Sequence, residues 1–564
     1  MSFKYGPLDL DNIADEETFC MAPMVAVNSG DLDFYHVGGI IRLTILTPDS
    51  GIRKIRVTFN GISYVTGTYT VSNAGTTSAY TTLLSGSHNY VEFTKSEDFS
   101  LITILNIPVP TGDYSACTGL SVGLFDSSSS LIDTYNISIP WISIGRGKGK
   151  KEITDCIDLS LVHPITRASM SRETANCYIV TEPGCYKLPL YYGNAIVGGE
   201  DNISTAAPAK GDQANYGVFV NAYDVAVSSG NIKTDLESSS RTLNTFGGKL
   251  IWSTASSSSS TLVLVDASLY VIGNEAYMMF VIPEDGFQEG SALIGVLKSG
   301  STTEYVWAWH IWITDGSVLA TDAYTNNQSQ TIDILNRPLG GRGGTSLVNV
   351  YYQYGMPFPL PPSDGTSYSM YTARLYDENG TYTFTYDSGN TITTLGKALS
   401  KPYLPRWSSD FFNTAAGAAQ NFYNMWDATQ TSTATDKMVV KTIYDPSPAG
   451  MTIPRFRAFT GFTTTGNNVT SGAPTNCNVV GSFSQGWYFK RNSSDATGVF
   501  WAASGNRGSS SLPGNVSSSG VFWSAGLRSS TEDYCLSFGS TSISTASRCT
   551  RYGACSVRPA LSEL

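Results

Sequence analysis

The residues best suited to ligand chemistry lie near the end of the sequence, in VFWSAGLRSSTEDYCLSFGSTSISTASRCTRYGACSVRP, residues 521–559. Arginine side chains bind anionic groups through paired hydrogen bonds, and aromatic rings stack against ligands. Small hydroxyl residues separate these side chains, and the segment carries no local catalytic motif and no zinc-ligand spacing. The sequence therefore predicts a binding surface that contains Trp523, Arg528, Asp533, Tyr534, Arg548, Arg551 and Tyr552.

A half-buried strand is predicted at the centre of this segment. In YCLSFGS the apolar residues Tyr534, Leu536 and Phe538 alternate with smaller ones, as a strand with one buried face requires. The pieces VFWS and SVRP predict further core strands of the same sheet, and Trp523 also fits a core position. The intervening residues 524–533 and 540–554 are expected to form long loops, and loops on a rigid sheet commonly carry recognition.

Length and composition point to a large, mainly β chain. A length of 564 residues suggests three or four domains. Charged residues make up only 14% of the chain, while glycine, tyrosine, serine and threonine are abundant, which is typical of exposed, hydroxyl-coated β-structure. The net charge of −11 and a single short basic run at 146–151, without aromatics, predict a solvated linker and no nucleic-acid partner.

No apolar run has the length of a transmembrane segment, and no signal-peptide pattern opens the sequence. We therefore expect an exported chain from which the signal segment is missing.

Three domains are predicted. Residues 1–151 alternate apolar and polar residues, for example around Ile41, Leu43 and Ile45, and predict a β-sandwich. Residues 152–322 predict a second sandwich of the transthyretin or immunoglobulin type, whose clearest strand is EYVWAWHIWITD; His310 within it is interpreted as a packed or hydrogen-bonded structural residue. Residues 323–564 are predicted to be α+β, with helices at 408–428 and 453–462.

No cofactor, metal or catalytic residue is predicted. LGGRGG lacks the remainder of a phosphate-binding loop, and YDENGTYTF resembles a calcium loop for only three residues before it becomes a hairpin. The nine cysteines are an odd number, and their pairing is left open.

Three stretches resemble known families. FYHVGGIIRLTILT and IPVPTGDYSACTGLSVGLFDSSSSLIDTYNISIPWISIGRGKGKK resemble the N-terminal domain of the fimbrillins, the subunits of type V fimbriae. NCYIV, YGNA and WHIWITD resemble the middle domain of long fimbrillin-like surface proteins. KTIYDPSPAGMTIPRFRAF, VFWAASGNRGSSS and YGACSVRPA resemble a C-type-lectin-like domain, although Ser447 stands where that family has cysteine and Met451 where it has tryptophan. The catalytic cysteine motif of the sulfatase-activating branch and the calcium-dependent sugar signatures are absent.

The resemblance implies a fimbrial tip subunit on the cell surface, exported through the outer membrane and carrying a lectin-like adhesive domain. Fimbrial subunits join by β-strand addition, so we expect a stalk subunit to dock near residues 34–47. Little sequence follows SVRP, which suggests that this chain has no spare strand to donate and ends the polymer. The expected ligand is a host or microbial glycan or protein. The alternative is a free-standing surface lipoprotein that captures glycans or proteins, and an enzyme of the sulfatase-activating type ranks third.

Overall fold

The computed structural model describes residues 2–5, 8–9, 24–26, 34–36, 38–72, 80–110, 112–137, 143–144, 149–153, 156–202, 219–254, 262–272, 274–316, 319–363, 375–385, 387, 392, 394–405, 424–430, 433–508, 513–529 and 531–563. Strands dominate these residues, which confirms the prediction of a mainly β protein. In this part of the chain, no helix has both the length and the apolar character to cross a membrane.

The chain forms two compact units. Unit 1 contains residues 1–157, 183–186 and 280–285, and unit 2 contains residues 158–182, 187–279 and 286–564. The predicted separation of residues 152–322 from residues 323–564 stays a prediction.

Unit 1 is built from short, mostly antiparallel sheets. Its strands between residues 1 and 153 are β1 (Ser2–Tyr5), β2 (Leu8–Asp9), β3 (Met24–Ala26), β4 (Phe34–His36), β5 (Gly38–Leu46), β6 (Lys54–Asn60), β7 (Thr66–Ser72), β8 (Tyr80–His88), β9 (Tyr90–Thr94), β10 (Ile102–Pro110), β11 (Gly112–Asp113), β12 (Gly119–Phe125), β13 (Leu131–Ile137), β14 (Ser143–Ile144) and β15 (Gly149–Ile153). Most of the core comes from the two sheets β10–β5–β15 and β13–β12–β6–β9–β2, in which β15 pairs with β5 and β2 pairs with β9 in parallel.

The core of unit 1 follows the two-residue period of its sequence. Alternate residues of β5, β6 and β12 point inward because successive side chains of a strand project to opposite faces. The buried residues include the sets predicted from the alternation, namely Ile41, Leu43, Ile45, Ile55, Val57, Phe59, Leu120, Val122 and Leu124.

The next strands along the chain are β16 (Ile157–Asp158), β17 (Cys177–Val180), β18 (Gly184–Pro189), β19 (Ile196–Val197), β20 (Glu200–Asp201), β21 (Gly247–Ser253), β22 (Leu264–Ile272), β23 (Glu275–Ile282), β24 (Gly290–Leu297), β25 (Tyr305–Ile313), β26 (Thr321–Thr325), β27 (Thr331–Leu335), β28 (Tyr351–Gln353), β29 (Pro359–Leu360), β30 (Tyr376–Asp377) and β31 (Gly380–Thr381). Two α-helices accompany them, α1 (Ile232–Ser238) and α2 (Leu395–Ser400).

The remaining strands are β32 (Met451–Thr452), β33 (Val479–Val480), β34 (Gly486–Phe489), β35 (Val499–Ala502), β36 (Asn506–Arg507), β37 (Pro513–Gly514), β38 (Ser519–Leu527), β39 (Glu532–Gly539), β40 (Ile543–Thr550), β41 (Ala554–Cys555) and β42 (Ala560–Leu561). They form small sheets, including β33–β34–β35, β38–β39–β40 and β29–β28–β41–β36–β37. Aromatic residues of several of these strands share one core, among them Phe459, Phe462, Phe489, Trp501, Phe522 and Phe538.

His310 lies in β25, where every residue is buried. Its Nδ1 is 2.9 Å from the hydroxyl of Tyr352 and its Nε2 is 3.0 Å from the hydroxyl of Ser291. Burial lowers the pKa of His310 to about 3. The residue is therefore neutral at physiological pH and structural, as predicted.

The prediction of a helix at 453–462 is wrong. The segment consists of turns and ends in a short 3₁₀-helix, Thr460–Phe462. A Cβ atom on Gly461 would lie 2.0 Å from the carbonyl oxygen of Thr325, so the chain here is fixed by close packing against a neighbouring strand. The spacing of Phe459 and Phe462 comes from this turn, in which both rings pack on Trp501. Most of the helix predicted at 408–428 lies outside the described residues, and residues 424–428 form turns and a bridge.

Two disulfides are present among the described residues, Cys156–Cys185 in unit 1 and Cys535–Cys549 in unit 2. Cys117, Cys177, Cys477 and Cys555 are free thiols.

Candidate functional site

The candidate site is built on the antiparallel sheet β38–β39–β40. Most of the two predicted loops is strand: β38 continues to Leu527, β39 begins at Glu532, and β40 spans Ile543–Thr550. The sequence ISTASRCT forms a strand because Ile543 and Thr545 are buried while most of the residues that follow stay partly exposed. The expectation of long recognition loops is thus wrong, and strands carry most of the predicted residues.

Three of the predicted residues are buried. The indole of Trp523 has no exposed surface and donates to the carbonyl oxygen of Tyr352 at 2.8 Å. The guanidinium of Arg551 donates to both carboxylate oxygens of Asp533 at 2.8 and 3.1 Å, and each side chain is 2% exposed. Arg551 also lies over the ring of Tyr354, 4.6 Å from its centroid. These contacts hold the sheet from its inner side, out of reach of a ligand.

The pKa of Asp533 stays above its usual value despite the ion pair with Arg551. Burial raises the pKa of this carboxyl to about 6, and the adjacent Arg551 opposes the shift only in part.

The two other arginines face solvent. Arg528 donates to Glu532 at 2.6 Å, and the Nε of Arg548 lies 3.9 Å from the second oxygen of the same carboxylate. The side chain of Arg548 is 69% exposed, so most of its hydrogen-bond donors are available to a ligand. Two positive charges therefore flank one negative charge on this surface.

The two predicted tyrosines are partly exposed. Tyr534 is half-buried and faces Arg548 across the β39–β40 pair. Its ring packs against Phe456, with centroids 4.4 Å apart and planes inclined by 33°. Tyr552 is also half-buried, and its carbonyl oxygen accepts a hydrogen bond from Gln353.

A polar groove of about 500 Å³ opens next to Arg548. Its walls come from the β36–β37 hairpin, from the β38–β40 sheet and from the turn that precedes β41. Such a volume lies within the range of about 300–1,000 Å³ that small-molecule sites occupy. The polar side chains of the lining are Asn506, Asn515, Ser519, Glu532, Ser537, Arg548 and Thr550.

Of these polar lining residues, only Arg548 belongs to the set predicted from the sequence. Asn506 and Asn515 belong to a hairpin more than 30 residues before Arg548 in the chain, and no local spacing links them to it. The sequence signal that could have identified more of the lining is the polar composition of the predicted loops, because Glu532, Ser537 and Thr550 lie in or beside those segments.

Two cysteines line the groove, and both are unreactive. Cys549 is held in its disulfide, and burial raises the pKa of the Cys555 thiol well above its usual range. In the described part of the chain, no group of three or more histidine, cysteine, aspartate and glutamate side chains is placed to hold a metal ion. Among the described lining residues there is also no histidine.

No protein-family model, curated protein or solved structure matches this chain.

Proposed function

We propose that this chain is an adhesive surface protein that binds a hydroxyl-rich ligand, a glycan or a glycosylated protein, in the groove beside Arg548. The observation that carries the proposal is the chemistry of the lining: two amides, three hydroxyls, one carboxylate and one largely exposed guanidinium. Amide and carboxylate groups form paired hydrogen bonds with neighbouring sugar hydroxyls, and hydroxyls donate or accept as needed. Arg548 adds a charge-assisted contact to any acidic group of the ligand.

The rigidity of the surrounding sheet supports this function. The disulfide between β39 and β40 and the buried Asp533–Arg551 pair fix the strands that carry Glu532 and Arg548. A site that is already ordered loses less conformational entropy on binding. Strands therefore suit this site better than the long loops expected from sequence.

The groove favours binding over catalysis. A thiol whose pKa is raised by burial is a poor nucleophile, and Cys555 is such a thiol. The carboxylate of Glu532 is engaged in an ion pair with Arg528, and such a pair suits recognition.

The fimbrial part of the proposal rests on the resemblance of the first 151 residues to fimbrillins. We propose a place at the fimbrial tip, where a binding groove is exposed to ligands, and attachment to the stalk by strand addition near β5. In the structure β5 pairs with β10 on one side and with β15 on the other. An added strand at β5 would therefore take the place of β15, whose pairing covers only five residues.

Two experiments test these statements separately. The full chain is applied to an array of glycans and host glycoproteins, on which we expect selective binding that Arg548→Ala removes. Retained binding by that variant would place the ligand elsewhere. The tip position is tested by immunogold labelling of fimbriae: label at fibre ends is expected, and label along the shaft would refute it.

A further inference from the structure

A second pocket in unit 2, remote in sequence from the groove, combines two cations with several hydroxyl groups. It has a volume of about 390 Å³ and lies between the turn that follows α1 and the hairpin that joins β24 to β25. Its lining includes Tyr223, Arg241 and Lys298, together with the hydroxyl residues Ser240, Thr242, Thr245, Ser299 and Ser301.

Both cations share one aromatic ring. The guanidinium carbon of Arg241 lies 4.0 Å from the centroid of the Tyr223 ring, and the ammonium of Lys298 lies 4.4 Å from it. The ring holds the two charges in place through its electron-rich faces, and cation–π contacts leave the hydrogen-bond donors of the cations unused.

The donors of the two cations are incompletely used. Lys298 donates to the carbonyl oxygen of Ala222 at 2.8 Å and to Glu304 at 3.3 Å, which leaves one of its three hydrogens. Arg241 forms no ion pair with a carboxylate of any described residue. Its guanidinium can therefore offer a two-point contact to an incoming oxyanion.

Ion pairing in the pocket leaves one cation without a direct carboxylate partner among the described residues. Glu304 is the acidic side chain in the lining, and its charge is matched by Lys298. Asp224 is close enough to influence Lys298, but its oxygens accept hydrogen bonds from Thr394 and from the backbone of Gly396. The two carboxylates offset the formal charge of the two cations, and Arg241 is the cation that has no direct ion-pair partner among the described residues.

The hydroxyl groups suit the rest of a ligand. The hydroxyl oxygen of Ser301 accepts hydrogen bonds from the backbone N–H groups of Thr303 and Glu304, so its own hydrogen is free to donate. The hydroxyl of Thr245 donates to the carbonyl oxygen of Thr242, which leaves lone pairs on its oxygen. From this arrangement we propose that the pocket binds a small hydroxylated carboxylic acid of the sugar-acid class, with its carboxylate on Arg241 and Lys298 and its hydroxyls on the serine and threonine side chains.

The test is calorimetric titration of the full chain with glucuronate, glucose and inorganic sulfate at low ionic strength. We expect saturable binding of glucuronate and at least about tenfold weaker binding of both glucose and sulfate, because each lacks half of the recognised groups. Sulfate binding as strong as that of glucuronate would overturn the sugar-acid assignment, and so would the absence of saturable glucuronate binding.

Variants locate the site. Arg241→Gln should weaken glucuronate binding by about tenfold or more. Arg241→Lys keeps the positive charge but loses the paired N–H donors of the guanidinium, and should weaken binding less. Lys233→Gln is the matched control, since it removes a positive charge from a partly exposed lysine of α1 that does not line the pocket. Unchanged glucuronate binding by Arg241→Gln, or an equal loss of binding in Lys233→Gln, would contradict the proposal.

Discussion

Glu532 and Asp533 are neighbours in β39, and their carboxylates serve opposite sides of the sheet. Glu532 points outward and bonds Arg528, whereas Asp533 points inward and forms a two-point pair with Arg551. Because side chains alternate along a strand, two adjacent residues take part in two different ion pairs, an exposed one with Arg528 and a buried one with Arg551. The arginines of this region therefore differ in function, although the sequence suggests that they belong to one set.

The buried Asp533–Arg551 ion pair predicts that substitutions of Arg551 and Arg548 have unequal effects on stability. Arg551→Met leaves the buried carboxylate of Asp533 without its partner and should lower the free energy of unfolding by about 3–5 kcal/mol. Arg548→Met, on the exposed surface, should change it by less than about 0.5 kcal/mol. Urea denaturation of the two variants measures the difference. Equal losses of stability would show that Arg551 is no more structural than Arg548.

The buried state of His310 predicts a dependence of stability on pH. Its pKa is about 3 in the folded chain, against about 6.5 when unfolded. The unfolded chain therefore binds more protons between these values, and the free energy of unfolding falls as pH is lowered from about 6.5 to 3, by about 1.4 kcal/mol per unit of pKa difference. His310→Gln should flatten this part of the curve.

The measurement is urea denaturation of wild type and His310→Gln at a series of pH values. Their difference isolates His310 from the other groups that titrate in this range. Parallel curves for the two proteins would contradict the assignment of a neutral, buried imidazole.

The disulfide beside the groove should contribute to the stability of unit 2. Cys535 and Cys549 are separated by 14 positions, and closing a loop of about 15 residues restricts the unfolded chain by about 3 kcal/mol in the chain-entropy model. Replacing both cysteines by alanine should lower stability by this order. Cys477→Ala, at a partly buried free thiol, is the control. A double variant as stable as wild type would show that the bridge is dispensable.

The packing at Gly461 predicts a position that tolerates no side chain. Its Cβ position lies 2.0 Å from a backbone oxygen, which cannot move without shifting β26. Gly461→Ala should therefore cost about 1–3 kcal/mol of stability. Gly508→Ala, where a Cβ meets nothing within 4 Å, should be nearly neutral. Thermal denaturation of the two variants distinguishes these outcomes, and a neutral Gly461→Ala would mean that the backbone there adjusts freely.

The parts of the fold that depend on local pattern could be predicted from the sequence. The strands around Ile41, Ile55 and Leu120 alternate cleanly, and their apolar residues are buried. Where packing between distant segments decides the conformation, local pattern failed. The turn at Phe459 and Phe462 depends on contact with Thr325 and Trp501, and neither is visible in a window of ten residues.

The same limit applies to the candidate site. The sequence identifies side chains capable of recognition, and it places Arg528 and Arg548 among them. It does not distinguish these from Arg551. The burial of Arg551 depends on the carboxylate of Asp533, 18 positions away, and on the ring of Tyr354, which directly follows β28. The amides of the β36–β37 hairpin join the groove only through the tertiary fold.

The central claim is that the groove beside Arg548 binds the ligand, and array binding of the full chain tests it most directly. Wild type, Arg528→Ala, Arg548→Ala and the control Arg56→Ala, at a partly exposed arginine of unit 1, are compared on one array of glycans and host glycoproteins. We predict selective binding by wild type and by Arg56→Ala, weaker binding by Arg528→Ala, and loss of binding by Arg548→Ala. Wild-type binding that persists in Arg548→Ala, or an array on which wild type binds nothing, would contradict the claim.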